Sequence, residues 1–166
     1  YSPHTSYDNS LLGINQQWAE QFQLKEIRPL RIKTGDLPAI HGSGRCGDLP
    51  QPTSLEILLS AWGERISGLT WVGERNRQVF RIGIACGAAA EFLEDACRSG
   101  CDLFVTGEAR FHDMLKSRDL GIAMILLGHY ASERGGIEVL ARQIQERHPV
   151  CHVQASQMET DPLQWK

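Results

Sequence analysis

No apolar run in this chain approaches the roughly 20 residues needed to span a bilayer. Its first residues, "YSPHTSYDNS", carry neither a basic head nor an apolar signal segment. Positive charge is not in surplus: 17 Lys and Arg stand against 20 Asp and Glu, a net charge of -3, which leaves no electrostatic footprint for nucleic acid or an anionic membrane. A disulfide frame is also missing. The five cysteines are odd in number and scattered, mostly within apolar segments, which is the usage of reduced, buried thiols. Cys97 and Cys101 stand four apart, but no second cysteine pair follows to complete a zinc site. These absences predict a cytoplasmic protein with no membrane partner and no direct nucleic-acid contact.

What is present suffices for a core. At 166 residues and 42% hydrophobic, the sequence predicts a single domain over 1–166. "DNSLLGINQQWAEQFQL" sets Leu11, Ile14, Trp18 and Phe22 at near-helical spacing and predicts one amphipathic helix capped by Asp8 or Asn9. From Ile27 to Pro52, glycine and proline are expected to break the chain into short extended pieces and turns. "TSLEILLSAWGERI" then predicts a helix, with Thr53 and Glu56 at capping-box spacing and Leu55, Leu58, Leu59, Trp62 and Ile66 on one stripe.

Beyond it the organisation is regular. "VFRIGIAC", "CDLFVTG", "IAMILLG" and "VCHVQAS" read as strands, separated by the helical patterns "AAAEFLEDACRSG", "ARFHDMLKSRDLG" and "ASERGGIEVLARQIQER". Continuously apolar strands alternating with helices mean βαβ units: an α/β fold with a mostly parallel sheet flanked by helices. A dinucleotide-binding domain is disfavoured, because "GIACGAAAE" has too few glycines for the fingerprint and no acidic residue follows at the expected strand end.

In such sheets ligands collect at the carboxyl ends of the strands. The exits here carry Gly87, then Thr106, Gly107 and Glu108, then His129 and Glu133, and all three should lie on one edge. With a helix beginning near Tyr130 or Ala131, His129 stands at its threshold and Glu133 on its first turn, projecting to the same side. An imidazole and a carboxylate so placed suit a zinc, manganese or iron ion. Also open, and on local sequence alone the favoured reading, is a structural role, in which His129 closes its strand and Glu133 complements the helix dipole. His4 and Asp8 in "HTSYD" repeat the four-residue spacing, where His4 alone reads as a surface histidine near a terminus. "TGEARFHD" alone reads as a solvated helix face bearing His112.

Taken in order, "YSPHTSYD", "GSGRCGDLPQPTSLEIL", "ACGAAAEFLEDACRSGCDLFVTGEARFHD", "GHYASERGGIEVLARQIQE" and "ETDPLQ" resemble the NIF-three-like family, whose members are known as GTP cyclohydrolase I type 2. The resemblance covers essentially the whole chain, and "GHYASE" and "TGEARFHD" are its more specific elements. It implies a pocket holding a pair of divalent metal ions, zinc, iron or manganese. Asp8 resembles a ligand able to touch both ions, and His129 and Glu133 resemble the other ligands from this half. His4 and His112 match pocket-lining residues with a proton-transfer role, and Glu108 is a weaker candidate.

The family also carries an adjacent pair of metal-binding histidines upstream of the element matched by "HTSYD", and no His-His pair occurs in these 166 residues. The chain is therefore expected to be a C-terminal portion whose metal site is weakened and whose sheet has an open edge. The implied chemistry is hydrolysis: a metal ion acts as a Lewis acid and lowers the pKa of bound water. The substrate is expected to be a small molecule, a nucleotide by the family's name, although no Walker-type phosphate loop is present. The other reading is a non-catalytic metal-binding or protein-interaction module related to transcription. The resemblance further implies a homo-oligomer, usually a toroidal hexamer.

Overall fold

The structure, a computed structural model, describes residues 2–33 and 41–164. Residues 34–40 of the glycine- and proline-rich segment lie outside the described residues, as do residue 1 and residues 165–166. In chain order the elements begin with α1 (His4–Asp8), α2 (Ile14–Gln21), β1 (Lys25–Arg28), β2 (Arg31–Ile32), β3 (Gly42–Ser43) and β4 (Arg45–Ser54). There follow α3 (Leu55–Gly63), β5 (Thr70–Val72), β6 (Gln78–Ala85), a 3-10 turn at Ala90–Phe92 and α4 (Leu93–Arg98). The last are β7 (Leu103–Thr106), α5 (Phe111–Asp119), β8 (Ala123–Leu126) and α6 (His129–Arg147).

Six strands form one sheet in the order β1-β4-β6-β7-β8-β5, and β2 pairs with β3 apart from it. Strands β1, β6, β7 and β8 run one way, with β4 and β5 against them, so the sheet is mostly parallel, as the βαβ pattern predicts. The directly parallel neighbours are β6, β7 and β8, the three strands whose exits carry the polar residues.

Alternation along the buried strands feeds two cores. Leu103, Val105, Ala123 and Ile125 turn to one face, where Ala19 and Phe22 of the α2 region and Leu55, Leu58 and Leu59 of α3 cover them. Phe104 and Met124 turn to the other, beneath Leu93 and Ala96 of α4. Each large side chain buried this way contributes about 1.5–3 kcal/mol. Among the described residues no helix is long and apolar enough to cross a membrane.

Several local expectations are corrected. The first helix does not start at Asp8 or Asn9: His4–Asp8 form a short helix of their own, and α2 begins at Ile14 after an extended Gly13. Leu11 therefore stands in the intervening turn, 41% exposed, instead of on the apolar stripe. The segment to Pro52 is not merely broken pieces, because it contains β4, a ten-residue strand. Its ladder with β6 is regular through Asp48 opposite Arg81 and resumes at Thr53 opposite Val79. Pro50 and Pro52 fall in the irregular stretch between, where their missing N–H groups cost no ladder bond. The cap of α3 is Ser54, whose hydroxyl accepts from the Ile57 amide, and not Thr53, which still belongs to β4. Ile66 lies beyond the end of α3, though it packs against the same core.

"VCHVQAS" forms no strand. Gln145 takes up its backbone instead, donating to the Cys151 carbonyl and accepting from the Val153 amide. β5, unmarked in the sequence, closes the sheet antiparallel to β8. All five cysteines are free thiols.

Candidate functional site

The carboxyl ends of β6, β7 and β8 are sewn together by backbone hydrogen bonds between glycines. The Gly107 amide donates to the Gly87 carbonyl at 3.0 Å, and the Gly128 amide donates to the Gly107 carbonyl at 2.9 Å. At Gly107 a Cβ would stand 2.7 Å from both the Gly87 carbonyl oxygen and the Ser132 hydroxyl, so no larger residue fits. Gly87 has φ +71, and a Cβ there would lie 2.3 Å from Glu133 Oε1. The glycine lets the first turn of α6 press its carboxylate against the exit of β6. Buried Ser132 completes the joint, accepting from the Gly87 amide at 3.0 Å and donating to the His129 carbonyl at 2.8 Å.

α6 starts at His129, one residue earlier than expected, so His129 and Glu133 share one face a turn apart. His129 Nε2 lies 3.3 Å from Glu133 Oε1, while Nδ1 pairs with Glu108 across the β7 exit. The hydrogen bond that His129 Nδ1 makes to the Glu108 carboxylate raises the His129 pKa; partial burial opposes it, and the Glu133 charge adds to the rise. A carboxylate on each ring nitrogen favours the protonated form of the imidazole.

The third acid comes from the opposite wall. Burial pushes the Asp8 carboxyl above its ordinary pKa, the Glu133 charge pushes it further, and His4 pulls the other way. α1 is held there by several long-range bonds. Buried Asn15 donates to the Asp8 carbonyl at 3.1 Å and accepts from the Cys86 amide at 2.8 Å, joining the end of α1 to the exit of β6. The Tyr7 hydroxyl donates to the Gly136 carbonyl, and Trp18 Nε1 to the Ser132 carbonyl at 2.7 Å. Arg45, 1% exposed, donates to the Asn9 and Ser10 carbonyls and so closes the turn after α1.

His4, Asp8, His129 and Glu133 together line a cavity of about 330 Å³ with Asn15, Cys86 and Gly87 on its floor. They also line an adjoining cavity of about 710 Å³ beside Tyr7 and Tyr130. Burial pushes the Cys86 thiol well up, and Asp8 and Glu133 add to it. His112 is not brought to this group. It is exposed on the first turn of α5, its ring edge-on to Phe111, and no contact among the described residues joins it to Asp8, His129 or Glu133. Among the described residues no three His, Cys, Asp or Glu side chains converge in metal-holding geometry. Sequence reasoning missed Asn15, Ser132 and Arg45. Only the recurrence of glycine at three strand exits hinted at the backbone joint.

A family model described as Duf34/NIF3 (NGG1p interacting factor 3) matches residues 1–162. The chain belongs to the Duf34/NIF3 family. It is 27% identical over 165 residues to a GTP cyclohydrolase 1 type 2 homolog of Nostoc sp., covering 97% of this chain and 61% of that protein. It is 29% identical to NIF3-like protein 1 of Drosophila melanogaster, covering 98% of this chain and 56% of the relative. The chain thus spans less than two thirds of the length of these relatives. Among solved structures it superposes on the Staphylococcus aureus hypothetical protein SA1388 with a TM-score of 0.86 at 24% identity, over 98% of this chain and 67% of that one. A Bacillus cereus protein related to NIF3 gives 0.87 at 16% identity, over 100% and 73%. These two likenesses establish the fold.

Proposed function

We propose that Asp8, His129 and Glu133 ligate a divalent metal ion in a hydrolase site, with His4 beside them as a proton-transfer group. The observation that carries this reading is that Asp8, His129 and Glu133 line one cavity at the carboxyl ends of the parallel strands, with Glu133 and Glu108 each against a nitrogen of the His129 ring. Acids drawn together and partly desolvated repel one another, and a cation among them relieves that cost. The donor set of one imidazole and carboxylates fits zinc, iron or manganese, which Asp8, His129 and Glu133 would hold.

An ion bound there supplies Lewis acidity and acidifies a water towards neutral pH. The chain's own groups do the rest. The Gly87–Gly107–Gly128 joint fixes the ligands' backbone, Asn15 and Tyr7 hold the wall that carries Asp8, and Glu108 orients the imidazole through Nδ1. His112, exposed away from this group, is assigned no part. The paired-ion form implied by the resemblance needs donors beyond these residues. The name of the relatives, GTP cyclohydrolase 1 type 2 homolog, supports a nucleotide as the substrate class. A homo-oligomer in the cytoplasm belongs to the same proposal, and sedimentation tests the assembly. The family's description as an interacting factor favours the second reading, a protein-interaction module.

Turnover separates the two. Hydrolysis of GTP and other nucleotides with added zinc, manganese or iron should appear and should vanish in Asp8→Ala and Glu133→Ala. Absence of metal-stimulated turnover across the panel would leave the interaction module as the better reading.

A further inference from the structure

On the other side of α1 lies a second, larger cleft of about 1120 Å³. Among its described lining residues the charge is the opposite of that at the acidic site. Among its described lining residues there is no Asp or Glu, although acids outnumber Lys and Arg in the chain by 20 to 17. Lys33 follows β2, His41 precedes β3, and Arg147 and His148 end α6, so four nitrogen-bearing side chains reach the cleft from two separate parts of the fold. A fifth, Arg31, is already engaged by Asp95 at 2.6 Å and by the Phe92 ring. No ion pair among the described residues occupies Lys33 or Arg147.

Arg147 alone would be explained as a complement to the C-terminal dipole of α6. Lys33 and His41, across the cleft on a different element, have no such explanation. The wall from α1 adds the hydroxyls of Thr5 and Ser6. Leu12 and Ile32, 55% and 57% exposed, flank the cations together with Ile144. A compact ammonium, a forked guanidinium and hydroxyl donors suit the several oxygens of a phosphate, and the aliphatic side chains suit an apolar group attached to it.

We propose that this cleft binds a phosphomonoester bearing an apolar group, with Lys33 and Arg147 holding the phosphate and Leu12, Ile32 and Ile144 the apolar part. The proposal is independent of the metal reading. α1 and the residue after it form the wall common to both sites: Ser6 lines the cleft, His4 and Asp8 line the acidic cavities, and Thr5, Tyr7 and Asn9 border both.

Calorimetric titration of the whole chain with hexyl phosphate tests it, with inorganic phosphate and hexanol as controls. Hexyl phosphate should bind saturably, more weakly as salt rises, and about tenfold or more tighter than either control. The exposed-site variant Lys33→Glu/Arg147→Glu should keep its melting temperature and divalent-ion binding and lose about tenfold or more in hexyl phosphate affinity. Glu133→Gln should leave that affinity unchanged. No saturable binding, equal binding by the charge-reversed variant, or a cleft found closed by a second copy of the chain would each overturn the proposal.

Discussion

His129 Nε2 stands 3.3 Å from Glu133 Oε1, one helical turn on, and both face the exit of β6 across a glycine. The pair exists because α6 begins at the histidine itself and because Gly87 has no side chain to hold the carboxylate away.

Gly87→Ala tests that dependence. The alanine takes a left-handed backbone, which costs about 1–2 kcal/mol, and its Cβ meets Glu133 Oε1 at 2.3 Å. Melting should record the loss of stability. Ion titration should show affinity falling by about tenfold or more as Glu133 is displaced.

Asn15→Leu keeps the volume and removes both bonds between α1 and β6. The orphaned Asp8 carbonyl and Cys86 amide should cost about 1–3 kcal/mol in denaturant unfolding. Ion affinity should fall with it, because Asp8 loses its anchor. A stable variant with full affinity would show that α1 needs no such tie.

Away from the site, Arg81 grips Asp48 across β4 and β6 with Nε at 2.6 Å and Nη2 at 3.0 Å. The hydrogen bonds from Arg81 hold the Asp48 carboxyl below its ordinary pKa, against a partly opposing burial. Because the folded pKa is the lower one, the pair's stabilisation is complete above the unfolded value of about 3.9 and is lost as pH falls through the folded value. Melting temperatures between neutral pH and strong acid should therefore drop more steeply below about pH 4 in the parent than in Asp48→Asn. The variant should be less stable by about 1–3 kcal/mol at neutral pH. Parallel acid limbs would contradict this assignment.

Much of this architecture was legible because its signals are local. Leu103 and Val105 facing one core and Phe104 the other are what a four-residue apolar strand between helices requires. The strand exits were found for the same reason, as turns between two recognisable periods. β4 was obscured because Pro50 and Pro52 signal a break, and only its partner β6 shows that the break is a bulge within a longer strand. "VCHVQAS" has the composition of a strand, but pairing is a tertiary fact, and Gln145 claims its backbone. Of the site, His129, Glu133, Asp8 and His4 were legible from spacing and resemblance and do come together. His112 shares their motifs but sits on a helix face turned to solvent. Asn15, Ser132 and Arg45 could not have been found, since their roles are defined by partners 29 to 71 residues away and not by their neighbours.

The central claim rests on divalent-ion binding by the acidic site. Zinc and manganese titrations, followed by elemental analysis, should be run on the chain and on Asp8→Ala/His129→Ala/Glu133→Ala, with circular dichroism confirming that both are folded. The account predicts about one tightly held ion per chain and none in the triple variant. Equal ion content in the two would contradict it.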